Sequence, residues 1–129
     1  MPDGFELMAE LCKMLSHPVR LQILTVLSQE DEACVCHLEH RLQQRQAYIS
    51  QQLARLREMG LVADRRDGMN VFYMLADRRL TGLIEAVRRY AQEHAVRQKQ
   101  QVIFNELQPQ SDQQCSCPKC NQTCCDTEE

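Results

Sequence analysis

The chain has 129 residues, a net charge of −3 at pH 7 and eight cysteines. That length provides one small core and excludes an enzyme of two lobes. No stretch approaches the ~18 apolar residues of a membrane span, and Met1-Pro2-Asp3-Gly4-Phe5-Glu6 has neither a basic start nor an apolar signal run. The expectation is a cytoplasmic chain with reduced thiols and no membrane partner, in which spaced cysteines serve metal or redox chemistry.

Leu7, Met8, Leu11 and Leu15 recur at helical spacing and predict a first helix over residues 5–15. Cys12 falls between Leu11 and Met14 in this apolar pattern and reads as a buried core thiol. Ser16-His17-Pro18 interrupts the helix, and proline suits the first turn of a second helix over residues 18–27, with Leu21, Ile23, Leu24 and Leu27 inward. After the acidic loop Glu30-Asp31-Glu32, Val35, Leu38 and Leu42 predict a third helix over residues 35–42. Ile49, Leu53 and Leu56 define a fourth, and Gly60 supplies its left-handed stop.

Beyond Gly60 the period changes from helical to alternating, which predicts strands over residues 61–66 and 70–75 around the turn dipeptide Asp67-Gly68. Arg65 and Arg66 are expected at the tip of this hairpin. A long helix over residues 78–104 carries Leu80, Leu83, Ile84, Val87, Ala91 and Val102. So small a core does not cover such a stripe, and part of it is expected to face a second subunit. Gln108-Pro109-Gln110-Ser111-Asp112 reads as a linker. The expected division is a DNA-binding and dimerisation domain over residues 1–107 and a flexible cysteine-rich metal-binding tail over residues 108–129.

The negative net charge argues against a nucleic-acid partner, but its distribution does not. Residues 41–66 carry six arginines against Glu58 and Asp64, a local balance of +4, whereas residues 107–129 contribute −3. A locally basic segment is what phosphate contact needs. Taken alone, the arginines are equally consistent with an ordinary solvated face. A two-stranded hairpin behind two helices forms the wing of a winged helix-turn-helix, mainly α with a small β-hairpin. On this reading Gln46, Ser50 and Gln51 reach base edges, since glutamine suits adenine. Arg55, Arg65 and Arg66 hold phosphates, with Ala47 and Tyr48 on the same surface.

Cys34-Val35-Cys36 sits at the front of the third helix, and thiolates prefer thiophilic ions. Two positions on a helix are about 200° apart, so thiols at this spacing converge only if the helix begins between them. A helix amino terminus favours the thiolate, while Asp31 and Glu32 oppose it.

His17-Pro18-Val19-Arg20-Leu21-Gln22-Ile23-Leu24, Cys34-Val35-Cys36-His37-Leu38 and the run from Ile49 through Arg55-Leu56 to Gly60-Leu61-Val62 resemble the ArsR/SmtB family of metal-sensing repressors. The resemblance covers residues 5–95. It implies a homodimeric winged helix-turn-helix that holds operator DNA when ligand-free and releases it when a toxic ion binds. Cys34 and Cys36 are similar to the thiolate site of members that answer to arsenite, antimonite, cadmium or lead.

Two departures redirect the ligand set. Glu39 stands where arsenite sensors of the best-known type have a third cysteine, and the only cysteine upstream of the pair is Cys12. The expected partners of Cys34 and Cys36 are therefore Cys115, Cys117, Cys120, Cys124 and Cys125 of the tail, with As(III)/Sb(III) or Cd(II)/Pb(II)/Zn(II) as effector. Cys117-Pro-Lys-Cys120 also has the spacing of a zinc knuckle, so a structural zinc site or simple scavenging within the tail stays open.

A thiol-based redox or persulfide sensor on the same fold is the rival function. A metal-binding module that never touches DNA is a second, and the arginine-bearing helix and wing argue against it. No nucleophile, base and orienter form a recognisable catalytic arrangement. His17, His37, His40 and His94 read as a cap, a helix flank or surface positions.

Overall fold

The structure is a computed structural model that describes residue 1 and residues 3–104. Its elements run α1 (Gly4–Leu15), α2 (Pro18–Gln29), β1 (Ala33–Cys34), α3 (Val35–Leu42), α4 (Gln46–Glu58), β2 (Val62–Asp67), β3 (Asn70–Leu75) and α5 (Leu80–Arg97). The linker and the five tail cysteines lie outside the described residues.

Local chemistry sets most of the helix ends. The Asp3 carboxylate accepts from the Phe5 amide at 3.1 Å and caps α1. His17 performs that role for α2, its Nδ1 accepting from the Val19 amide at 3.2 Å ahead of the first-turn proline. Gln43 turns the chain between α3 and α4 in the left-handed conformation, at φ 55°. At the end of α4, Gly60 takes φ 83°, and the Leu61 amide donates back to the Leu56 carbonyl at 3.0 Å.

Ile23, Leu24, Val26 and Leu27 of α2 meet Leu38 of α3 and Ile49, Leu53 and Leu56 of α4, all fully buried. Val62, Leu75 and Ile84 close this core from the sheet and from α5. Arg78 pins the end of α2 from below, its Nη1 donating to the Leu27 carbonyl at 2.9 Å and its Nη2 to the Ser28 carbonyl at 3.1 Å. These bonds satisfy carbonyls that a helix terminus leaves without partners.

Four local expectations are corrected. The hairpin gains a third strand, β1, giving an antiparallel sheet in the order β1-β3-β2. Its pairing runs on to Asp67 and Asn70, so Arg65 and Arg66 lie within β2 and the tip is Gly68-Met69. The last helix stops at Arg97, where Lys99 adopts φ 57° and the Gln100 amide returns to the Ala95 carbonyl at 2.8 Å. Cys12 is exposed: only Met14 and Leu15 at the end of α1 pack, half-buried, against the core, while Leu7, Met8 and Cys12 face outward.

Candidate nucleic-acid interface and thiol pair

α4 presents Gln46, Ala47, Gln51 and Arg55 to solvent, with Ser50 half-buried beside them. No acidic residue occupies its first turn. Tyr48 is half-buried rather than a plain surface aromatic: its ring packs on the core and its hydroxyl meets His17 Nε2 at 3.0 Å. One histidine thus caps α2 with one ring nitrogen and tethers the front of α4 with the other.

A second tether escaped the sequence pattern. Gln52 is buried, its Oε1 accepting from Arg20 Nε at 2.7 Å, while Arg20 Nη1 donates to the Met14 carbonyl at 3.1 Å. Arg20 so connects α1, α2 and α4, and the desolvated amide has its partner. The available signal was position: Gln52 falls on the inward stripe between Ile49 and Leu56.

The two wing arginines differ. Arg66 is exposed and forms no ion pair among the described residues. Arg65 grips Glu32 with two bonds, Nη2 to Oε1 at 2.6 Å and Nε to Oε2 at 3.2 Å, and its guanidinium stands 4.9 Å over the Phe72 ring centroid. Glu32 accordingly raises the Arg65 pKa above its ordinary value, chiefly through that hydrogen bond.

Cys34 ends β1 and is the N-cap of α3, with φ −87° and ψ 167°, so the helix begins between the two cysteines. This lets both thiols face one way, as the spacing argument requires. Cys34 Sγ lies 2.7 Å from Cys36 Sγ and accepts from the His37 amide at 3.3 Å. Cys34 is buried, Cys36 is half-buried, and both pack against Phe72.

Behind the pair, His37 is buried rather than on a surface flank. Its Nε2 meets Glu30 Oε2 at 2.7 Å, and Arg41 Nη1 donates to the same oxygen at 3.1 Å. Glu30 lies across a loop and a strand from His37, a pairing that helical periodicity does not display.

The donor chemistry suits a soft ion at two corners, since the two sulfurs lie side by side at the start of α3. The described residues contain no group of three or more histidine, cysteine or acidic side chains arranged to hold a metal. A cleft of about 580 Å³ between α2 and α5, lined among others by Leu21, Thr25, Ile84, Val87 and Phe104, contains no cysteine.

Helix, turn, recognition helix and wing define a winged helix-turn-helix DNA-binding domain. Residues 17–64 match the bacterial regulatory protein, arsR family. The chain is 46% identical over 79 residues to a biofilm growth-associated repressor of Agrobacterium fabrum, spanning 61% of this chain and 67% of the relative. It is 36% identical over 92 residues to an arsenic resistance transcriptional regulator of Pseudomonas putida, spanning 66% of this chain and 72% of the relative. Among solved structures it is similar to the homodimeric winged helix-turn-helix domain of Mb0332 from Mycobacterium bovis, at 30% identity and TM-score 0.63, covering 73% of this chain and 90% of that one. The chain belongs to the ArsR/SmtB family of transcriptional repressors. It is a DNA-binding regulator and not an enzyme.

Proposed function

We propose that this repressor works as a homodimer in the cytoplasm, holds operator DNA through α4 and the wing when free of effector, and releases it when a thiophilic ion binds Cys34, Cys36 and thiols of the tail. The observation that carries this reading is the convergence of the two sulfurs at the front of α3, the helix that packs directly on α4. Arsenite or antimonite, with three sulfurs, and cadmium, lead or zinc, with four, are the candidate effectors. The described residues supply two donors, so the reading takes the remainder from Cys115, Cys117, Cys120, Cys124 and Cys125. Gln46, Ser50 and Gln51 face the bases and Arg55 and Arg66 the phosphates. The bound ion would supply strong bonds to sulfur, and the chain's part is to convert a shift at the α3 start into a poorer fit of α4 to DNA. An ion weakens DNA binding only by its greater affinity for the DNA-incompetent state, and the effect is reciprocal.

The test is ultraviolet absorption of the reduced protein titrated with cadmium, lead and arsenite, repeated with Cys34→Ser and with the chain cut after Pro109. Intense sulfur-to-metal bands that disappear in both variants support one shared site. Bands and DNA release that survive the truncation remove the tail from the mechanism.

The close approach of Cys34 and Cys36 also favours a second reading, in which oxidation or persulfidation of the pair triggers release. Release by oxidant in the presence of a chelator selects that reading, whereas release by cadmium in excess reductant selects the metal one.

A further inference from the structure

A single row of side chains crosses the sheet from the thiols to the wing. Cys34 on β1 stands opposite Phe72 on β3, and Phe72 stands opposite Arg65 on β2. Directly opposed residues of antiparallel strands share a face, so these three side chains are neighbours by construction. Phe72 is buried against Cys34 and Cys36, and the Arg65 guanidinium covers its ring at 4.9 Å. Glu32, two residues ahead of Cys34, then takes two hydrogen bonds from Arg65, at 2.6 and 3.2 Å. The connections close into a loop: thiol pair, aromatic ring, guanidinium, carboxylate, and back along the chain to the thiols.

The next residue is placed differently. Arg66 pairs with Val71, points to the other face and is exposed. A phosphate approaching Arg65 has to displace a carboxylate held in a two-bond fork, the strongest geometry available to arginine. One approaching Arg66 meets no such competitor among the described ion pairs.

We infer that Arg65 and Phe72 are positioning residues that carry the state of the thiol pair into the wing, with Glu32 holding Arg65 out of DNA contact and Arg66 serving as the wing's phosphate-binding arginine. This rests on the reading of Cys34 and Cys36 as the effector site. An ion bound at the thiol pair would disturb the packing of Cys34 on Phe72, and the Glu32–Arg65 clamp would couple β2 to the front of α3. β2 follows α4 through the short Gly60 turn, so the wing and the recognition helix tilt together. An exposed ion pair of this kind contributes little to stability, so variants that remove it fold.

The experiment uses the full reduced chain and its Glu32→Gln, Arg65→Gln and Arg66→Gln variants. The DNA is a duplex selected from random sequence by the wild-type protein. Fluorescence anisotropy over a range of salt, with and without cadmium chloride, is read beside the sulfur-to-cadmium absorption. Arg66→Gln is expected to reduce the slope of log affinity against log salt by about 1.8 for the dimer, the signature of one lost phosphate contact in each of its two protomers. Arg65→Gln is expected to leave that slope unchanged. In Glu32→Gln and Arg65→Gln the cadmium-induced fall in DNA affinity is expected to shrink about tenfold while the absorption bands persist, within the range by which residues between coupled sites alter coupling. An Arg65→Gln slope reduced like that of Arg66→Gln, or cadmium release as large as in the wild type, overturns the inference while leaving the effector site standing. If the wild-type protein shows no cadmium-dependent release, the effector reading itself fails and the inference falls with it.

Discussion

The helices at the centre of the molecule and those at its two ends use their apolar residues in opposite ways. Ile23, Leu24, Leu27, Leu38, Ile49, Leu53 and Leu56 of α2, α3 and α4 are at 0% exposure. α1 has no fully buried residue, only Met14 and Leu15 packing half-buried on the core, and α5 fully buries only Ile84 and Ala95. Phe5 and Met8 on α1, and Leu83, Val87, Tyr90 and Val96 on α5, stand in water. Exposed apolar surface costs roughly 25 cal/mol per Å² relative to burial, so the terminal stripes have a strong incentive to find a cover. The difference teaches that helical periodicity reports an apolar face but not what buries it. The central faces are closed by this chain, and on our reading the terminal faces are closed by its twin.

The comparison is broken most severely at the centre. Leu53→Ala leaves a cavity at a fully buried site, and the expected loss is about 2–5 kcal/mol of folding stability, measured by urea denaturation. A loss below half of that range would mean that the core collapses around the gap. At the periphery, Val87→Glu is expected to leave helix content intact while raising the dimer dissociation constant by about tenfold or more, because a charge enters an apolar contact. Sedimentation equilibrium checks this, and an unchanged dimer would place the subunit contact elsewhere.

The smallest effect concerns the exposed start of α5. Hydrogen bonds from Arg79 lower the Asp77 pKa from 3.8 to about 2. A lowered carboxyl pKa stabilises the fold above the ordinary value, and the contribution is lost as the pH falls through the folded value. Asp77→Asn is therefore expected to lower the melting temperature slightly near neutral pH, with the difference disappearing toward about pH 2. A difference that persists in acid would point to the helix start rather than the ion pair.

What the sequence made legible follows the same division. Pro18, Gly60 and the spacing of Ile49, Leu53 and Leu56 announce α2 and α4 because each depends on chemistry local to the chain. Cys34 and Cys36 were predictable to the level of geometry, since only a helix starting at Val35 lets them meet. β1 was not, because two residues, Ala33 and Cys34, carry no period of their own and become a strand only by pairing with Tyr73 and Phe72. The same limit hid Arg65: its clamp on Glu32 spans 33 positions and depends on sheet register. Cys12 was misread because only the end of the α1 stripe, at Met14 and Leu15, packs on this chain's own core, and Cys12 itself stays exposed. The tail thiols lie outside the described residues, and their part in the site is a proposal.

The turn at Gly60 has a consequence for the DNA. The Leu61 amide is bonded back into α4, and the Leu61 carbonyl accepts from the Ala76 amide at 3.0 Å, which closes the base of the hairpin. Recognition helix and wing are therefore two jaws of a caliper with a fixed gap. On the DNA contacts proposed above, a target that offers the right bases to one jaw and the right groove to the other, but a base pair too far apart, would be refused for its spacing alone.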